Sequence, residues 1–357
     1  MAVASPSHAA TGRTTMSNHR SRRHVLAAMA ASTAAVHGLA IPGIALAQDS
    51  KRLRIAVGFG LPSLPVRIAQ QNGYFAEQAR KLGLSDFKVD IVQLSGQNPI
   101  IDSLLSGQID MCISGQAGML IAWDRTRGTS REICGFSGIS NNRCMLMTVD
   151  PRIRSLADFG PNDKIAMPST ANTQAFILKM ACEKQFGDST RLDKSMISLP
   201  HPDALNGLLR GGIVAAHFAS PPYVQIIAKD PRARTILTSG DVFGGLSSFV
   251  IVAGTRSFAE ANPDIVKVFL AALQDAITFI ENNPAQSTEI YLQIEPTTIL
   301  SKAEFQRIIE DPQEGYSLNT NGIMTYAGFM KKTGFLRNEL KSIDDFMIPA
   351  VHALRNT

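Results

Sequence analysis

The sequence predicts an α/β protein of two lobes joined by a double chain crossover, with a helical C-terminal part. Three features carry that expectation. From residue 51 onward, short apolar runs alternate with segments of helical period, the signature of α/β layering. The alternation starts afresh after residue 150. Two extended segments, 143–149 and 248–254, bracket the second series, as strands of a double crossover would. The resulting division is an N-terminal segment over 1–47, a first lobe from 48–149 plus 246–357, and a second lobe over 150–245.

In chain order, 53–58 is a short apolar strand. Residues 63–82 read as a helix, because Val66, Ile68, Ala69, Tyr74 and Phe75 recur near helical spacing, with Gly73 marking a break. Residues 87–94 alternate and suit a strand. A helix over 98–106 stops at Gly107. Residues 109–113 form a third strand and 116–125 a third helix, and extended segments follow at 132–137 and 143–149. The second series opens with a strand over 164–167, whose helix begins within 169–173 and runs to about Phe186. Strands are expected at 196–199, 213–219 and 234–237, and helices at 202–209 and 221–228. The first of these helices is ended by Gly211-Gly212. After the extended 248–254, the amphipathic stretch 265–280 and the patterns behind it are helical. The helix over 262–283 suits a cover for the first lobe.

The N-terminus carries an address. Ser21-Arg22-Arg23-His24-Val25-Leu26 resembles the twin-arginine export signal, and Ala45 and Ala47 occupy the −3 and −1 positions of a small-residue cleavage site. The apolar run between them is interrupted by Ser32, Thr33, His37, Gly38 and Pro42, whereas a spanning helix needs roughly 20 strongly apolar residues. No cysteine lies near the cleavage point to take a lipid. Met16 also opens a leader of ordinary shape. The expectation is a periplasmic protein, cleaved near Ala47.

Removing the leader changes the charge balance. It holds Arg13, Arg20, Arg22 and Arg23 and no acidic residue, so the 35 Lys and Arg fall to 31 against 30 Asp and Glu. A near-neutral mature chain gives no argument for nucleic acid or an anionic membrane. About 310 residues suggest two domains. Cys112, Cys134, Cys144 and Cys182 show no CxxC pair and no Cys/His spacing suited to zinc. An exported protein can hold disulfides, but twin-arginine cargo folds before export, which favours buried thiols.

Several motifs are tested and set aside. Gly58-Phe59-Gly60 follows a strand, but the dinucleotide fingerprint needs glycine where Ser63 stands. No phosphate loop of the Walker type occurs. Gly135-Phe136-Ser137-Gly138 lacks the spacing of a nucleophile elbow, and His201 and His217 have no convincing acidic neighbour. Trp123 suits packing. Arg143 suits either a solvated surface or a ligand countercharge.

The site candidates are the loops where strands end and helices begin, since open α/β sheets bind ligands there. In the first lobe these are Gly60 and Leu61 after the first strand, Gln97 after the second, and Ser114, Gly115 and Gln116 after the third. In the second lobe they are Ser169, Thr170, Asn172 and Thr173, then His217 and Ser220. Ser, Thr and Asn at such places also cap helices. Hydroxyls and free N–H groups at a positive helix end can equally hold an anionic or polar solute.

Ordered motifs add a family resemblance over nearly all of the mature chain. Leu53-Arg54-Ile55-Ala56-Val57-Gly58 is followed by Ile68-Ala69-Gln70-Gln71-Asn72-Gly73-Tyr74-Phe75. Leu105-Ser106-Gly107-Gln108-Ile109-Asp110-Met111 forms a Gly-x-Ile-Asp turn. Ile153-Arg154-Ser155-Leu156-Ala157-Asp158-Phe159 precedes Lys164-Ile165-Ala166-Met167-Pro168. Leu209-Arg210-Gly211-Gly212-Ile213-Val214-Ala215-Ala216 echoes the turn, with Ala215 where aspartate is usual. Together these resemble the periplasmic substrate-binding proteins of ABC importers, in the nitrate/sulfonate/taurine group. The resemblance implies a two-lobed binding-protein fold of type II kind. It implies a monomer without cofactor, metal or catalysis, which takes a small anionic or polar solute between its lobes to a membrane permease and its ATPase. The same fold occurs in the thiamine-pyrimidine synthesis family. That enzyme reading would need a cytoplasmic location and a pyridoxal-type lysine and histidine. A ligand-sensing partner of a receptor is a third reading.

Overall fold

A computed structural model describes residues 52–245 and 247–348. The leader motif and its cleavage point lie outside the described residues. The first series of elements runs β1 (Arg52–Val57), α1 (Leu64–Gln71), α2 (Tyr74–Lys81), β2 (Lys88–Gln93), α3 (Gln97–Ser106), β3 (Met111–Gly115), α4 (Gln116–Thr126) and β4 (Ile133–Ser140). The second runs β5 (Met145–Thr148), β6 (Lys164–Met167), α5 (Thr173–Phe186), β7 (Met196–Ser198), α6 (His201–Leu209), β8 (Val214–Ala219), α7 (Tyr223–Ile227), β9 (Arg234–Thr238) and α8 (Ser239–Phe243). The chain returns through β10 (Val250–Thr255) to α9 (Arg256–Ala261), α10 (Pro263–Asn282), α11 (Pro284–Ile294), α12 (Lys302–Glu310) and α13 (Ile323–Lys332). Among the described residues, no helix is long and apolar enough to cross a membrane.

The strands form two five-stranded sheets of the same design, in orders β2-β1-β3-β10-β4 and β7-β6-β8-β5-β9. In the first, β1 pairs parallel with β2 and β3, and β10 lies antiparallel between β3 and β4. In the second, β6 pairs parallel with β7 and β8, and β5 lies antiparallel between β8 and β9. The antiparallel strand of each sheet is therefore the one that has just arrived from the other. Here the structure departs from the sequence reading, which placed 143–149 with the first lobe. β5 pairs in the second sheet, so the first crossing is the short segment 141–144. Pairing partner, not local pattern, decides this, and β4 and β5 are equally apolar.

Local chemistry explains the element ends. Gly73 takes φ 74° between α1 and α2, a left-handed turn that a β-carbon resists, so the predicted helix breaks there. The Gly-x-Ile-Asp turn acquires a structural reason. The Asp110 carboxylate accepts from the Arg54 amide at 2.8 Å, from Arg54 Nε at 3.1 Å and from Arg54 Nη2 at 2.6 Å, clamping β1 to β3. In the second lobe Ala215 cannot do this, and the Thr148 hydroxyl instead donates to the Ala215 carbonyl at 2.6 Å.

The first core packs α1, α2 and α10 on one face of the sheet, with Phe75 stacked on Phe269 at 5.7 Å. On the other face Trp123 meets Phe346 edge-on at 6.5 Å and donates to the Asp345 carbonyl at 3.1 Å. The tail also covers the free edge of β4. The Gly135 amide donates to Phe346 at 3.0 Å, the Ile348 amide to Gly135 at 2.9 Å, and the Gly138 amide to Leu318 at 2.9 Å. Covering an edge strand removes a template for unwanted pairing. Phe335 reaches the second lobe, edge-on to Phe176 at 5.0 Å. All four cysteines are buried free thiols, and burial pushes the Cys112 and Cys134 thiols up to about 12.

The first crossing is pinned from the C-terminal part. The Glu314 carboxylate accepts from the Asn142 side chain at 3.3 Å and the Arg143 amide at 3.1 Å, and pairs with Arg143 Nε at 3.5 Å. Arg143 also bonds Asp311 at 3.1 Å. This guanidinium is thus engaged at the crossover and is not a countercharge in the pocket described below. Replacing Glu314 by Ala takes the acceptor from the Arg143 amide and one partner from its guanidinium, while Asn142 keeps the residue-314 carbonyl and Arg143 keeps Asp311. The expected loss is about 1–3 kcal/mol, the cost of leaving a partly buried donor unmade. Chemical denaturation checks it; a loss below about 1 kcal/mol, the range of exposed pairs, would show that the pairing is incidental.

Candidate functional site

Between the two sheets lies a pocket of about 600 Å³ of empty space, its mouth included. Gly58 and Phe59 reach it from the end of β1, Leu94 to Gln97 from the end of β2, and Ser114 and Gly115 from the end of β3. From the second lobe come Pro168, Ser169, Asn172 and Gln174 after β6, His201 after β7 and Ser220 after β8. Phe249 and Val250, at the start of the crossing strand β10, complete it. The wall is thus built from the carboxyl ends of parallel strands in both sheets, where helix N-termini also point.

Of those helices, α3 and α4 in the first lobe and α6 in the second have no side-chain cap. Their first N–H groups lack intrahelical partners and give the pocket a positive partial charge. No formal charge accompanies it: among the described residues lining the pocket there is no Asp, Glu, Lys or Arg. His201 is 4% exposed and His217 fully buried. Burial pushes the His201 ring down to about 3, and burial with its neighbour His201 pushes the His217 ring well down, so both are neutral near pH 7.

The amides are arranged so that their oxygens are occupied and their nitrogens are left over. The Asn172 oxygen caps α5 by accepting from the Ala175 amide at 3.2 Å. That fixes the Asn172 nitrogen as a donor, and it bonds the Gln174 oxygen. Gln174 Nε2 is then buried without a partner. In the opposite lobe the Ser114 hydroxyl donates to the Gln97 oxygen at 3.2 Å, and Gln97 Nε2 is likewise buried without a partner.

The lobes touch beside the pocket. The Leu61 amide donates to the Pro221 carbonyl at 3.1 Å. The Glu295 carboxylate accepts from the Gly60 amide at 3.1 Å, from Tyr291 at 3.0 Å and, across the cleft, from Tyr223 at 3.4 Å. Burial and the adjacent carboxylate push the Tyr223 hydroxyl up, so it stays a donor. Deepest, Gly115 meets Thr173, where a β-carbon would stand 2.6 Å from Thr173 Oγ1 and 3.0 Å from its amide nitrogen.

The sequence over residues 47–294 matches the model of the NMT1-like family. The chain belongs to the NMT1-like family. Curated proteins give no match. Among solved structures, this NMT1-like chain resembles the alkanesulfonate-binding protein SsuA of Xanthomonas axonopodis pv. citri bound to MOPS, with TM-score 0.66 and 18% identity over 84% of this chain and 97% of that one. It also resembles the periplasmic nitrate-binding protein NrtA of Synechocystis, with TM-score 0.67 and 12% identity over 85% and 88%. The periplasmic aliphatic sulphonate-binding protein SsuA of Escherichia coli gives TM-score 0.61 and 16% identity over 83% and 91%. These likenesses establish the two-lobed binding-protein fold.

Of the residues singled out on the sequence, Gln97, Ser114, Gly115, Ser169, Asn172 and Ser220 line the pocket together. The other six do not. Gly60 is engaged by Glu295 and Leu61 by Pro221. Gln116 is buried, its amide nitrogen donating to the Ser248 and Asn321 carbonyls. The Thr173 hydroxyl donates to the Phe249 carbonyl at 3.2 Å. Thr170 is exposed on its loop. His217 stands behind His201, with its Nε2 2.8 Å from His201 Nδ1. Sequence reasoning missed Gln174 and His201. His201 opens the helix after β7, the counterpart of Gln97 after β2, and that repeat of position was the available signal. The contact at Gly115 gives a direct test. Gly115→Ala should hold α4 and α5 apart, so small-angle scattering should show a larger radius of gyration with an unchanged circular dichroism spectrum. An unchanged radius would mean that Thr173 yields.

Proposed function

We propose that this protein is the extracytoplasmic solute-binding component of an ABC importer, and that it holds a small anionic or polar organic solute between its lobes. The observation that carries the reading is the pair of unpartnered amide nitrogens, Gln97 Nε2 from one lobe and Gln174 Nε2 from the other, at a single pocket. A solute with acceptor oxygens satisfies both at once and ties the lobes together. Phe59, Leu94, Ile100, Ile113 and Phe249 offer an apolar wall to the rest of such a molecule. Solutes of that make-up are the ones named for the sulfonate-binding structural neighbours. The lining residues include a histidine but no lysine, which favours binding over pyridoxal-type chemistry.

The mechanism is a population shift. Open and closed arrangements interconvert, and the solute favours the closed one through contacts with both lobes. Recognition of an anion here uses dipoles and neutral donors, which cost less to bury than an unpaired ammonium or guanidinium. The protein acts as a monomer, and its partner is a membrane permease with its ATPase. Ser169, Asn172 and Ser220 are the further solute contacts on this reading, with Ser114 and Gly115 opposite.

A thermal-shift screen with alkanesulfonates, nitrate, carboxylates and pyrimidines tests the reading. A solute at 100-fold excess over its Kd should add about 2.7 kcal/mol. Gln174→Leu should weaken that solute by about 1–2 kcal/mol, the cost of one hydrogen bond to a buried polar group, and should also lower apo stability, because the Asn172 nitrogen loses the Gln174 oxygen. A panel without a single stabilising solute would sink the proposal.

Export follows from the leader. The paired guanidinium groups of Arg22 and Arg23 are read by a receptor, and lysine does not reproduce their fork. Replacing both by Lys should leave the precursor in the cytoplasm. Fractionation checks this, and a processed form near Gln48 appearing normally in the periplasm would remove the twin-arginine assignment.

A further inference from the structure

Two buried histidines meet at the second-lobe wall of the pocket. His217 sits within β8 and His201 is the first residue of α6. Their rings lie 5.0 Å apart, and the other face of His201 is stacked on Tyr223 at 5.0 Å and 19°. His201 Nδ1 is 2.8 Å from His217 Nε2, and His201 Nε2 is 3.2 Å from the Ser220 hydroxyl. His217 Nδ1 is buried and has no partner.

These contacts select one proton arrangement. Each neutral imidazole carries one N–H and one bare nitrogen, so the 2.8 Å contact needs one ring to donate and the other to accept. If His201 donated from Nδ1, the proton of His217 would sit on Nδ1 and be a buried N–H without an acceptor. Away from a ligand pocket, a buried N–H left without an acceptor is rarer than an under-satisfied acceptor, and His217 does not line the pocket. The alternative puts the His217 proton on Nε2, where it is used, and leaves only a bare nitrogen unpaired. His201 then accepts at Nδ1 and must carry its own proton on Nε2, on the side of Ser220 and the pocket.

We propose that His217 is a positioning residue that fixes the tautomer of His201, so that His201 Nε2–H holds the Ser220 oxygen, the Ser220 O–H is left to donate at the wall, and the cleft favours head groups that carry acceptors and no proton. The inference rests on the solute-binding reading and sharpens its substrate class. The His201 N–H is met by the Ser220 oxygen at 3.2 Å, which leaves the Ser220 O–H to donate beside Gln97 Nε2 and Gln174 Nε2, while the amide oxygens of Gln97, Asn172 and Gln174 already accept from the protein. A sulfonate brings three acceptor oxygens and no O–H. A phosphonate monoanion of the same shape keeps one O–H, for which the side-chain acceptors at the lining are serine hydroxyls rather than a carboxylate. Discrimination therefore arises from a mismatch built against the wrong group as much as from attraction to the right one.

Ring nitrogen spectra of the ¹⁵N-labelled full-length mature protein test the relay without any solute. Both rings should show Nε2–H. A His201 ring protonated at Nδ1 would overturn the proposal. His217→Gln offers an amide N–H in place of Nε2–H and should keep the His201 tautomer, whereas His217→Met should let it shift toward Nδ1–H. Calorimetry with ethanesulfonate and ethylphosphonate in mildly acid buffer supplies the second arm. Wild type should prefer the sulfonate by at least about tenfold, His217→Met should lose about tenfold in sulfonate affinity, and His217→Gln should recover most of it, as expected for one buried hydrogen bond. Equal or tighter phosphonate binding would refute the selectivity. If neither probe binds, the sulfonate-type reading of the site fails, and the ring spectra still decide the relay.

Discussion

Each sheet is completed by a strand that the chain has just carried over from the other. β10 lies between β3 and β4, and β5 lies between β8 and β9, both in interior positions. An interior strand cannot leave without exposing two rows of backbone groups and an apolar face. The crossings are therefore held from both ends, and the freedom between the lobes is confined to 141–144 and the stretch between β9 and β10. The same constraint sets the depth of the pocket. Phe249 and Val250 open β10 and also line the pocket, so its floor is the crossover itself. Gln116 and Thr173, at the starts of α4 and α5, both donate to this crossing, at Ser248 and Phe249. Whatever meets the floor meets the segment through which the lobes are linked.

Charge is kept outside this centre. Glu295 gathers the Gly60 amide and the Tyr223 and Tyr291 hydroxyls at one margin of the cleft. Lys229 pairs with Glu304 between α7 and α12, and Lys332 pairs with Glu183 on α5 at 2.7 Å. These ion pairs are partly solvated and individually weak, but they join the C-terminal part of the first lobe to the second. The centre uses helix ends, hydroxyls, amides and neutral imidazoles. Neutral donors hydrate and dehydrate at far lower cost than ions, which suits a surface that must pass between water and a closed cavity.

The sequence carried the layering well. The strand–helix alternation, the restart after residue 150 and the break at Gly73 all follow from local pattern, and the Gly-x-Ile-Asp turn marks the real β1–β3 clamp at Asp110. The loops after β2, β3 and β6 were legible as pocket loops because strand ends in open α/β sheets face ligands. Individual residues were less legible, since their partners are distant. Gly60 is taken by Glu295 and Arg143 by Asp311 and Glu314, well over a hundred residues away. β5 and His201 were misjudged for a related reason. Strand membership depends on β8 and β9, and the use of His201 depends on another histidine, not on the acidic neighbour for which the sequence was searched.

The two lobes contribute unlike chemistry, and that difference bears on coupling. The first supplies uncapped helix starts at α3 and α4, glycines at 58, 96 and 115, the Gln97 and Ser114 side chains and most of the apolar wall. The second supplies side-chain groups, Asn172, Gln174, His201 and Ser220, held in place by one another. Gln97 Nε2 and Gln174 Nε2 are buried without acceptors, which costs about 1–3 kcal/mol for each. An acceptor placed between them removes that penalty. A ligand shifts an equilibrium only by its differential affinity for the two states. On the binding reading, the unpaired nitrogens contribute to that difference, because one comes from each lobe and a solute that satisfies both ties the lobes together.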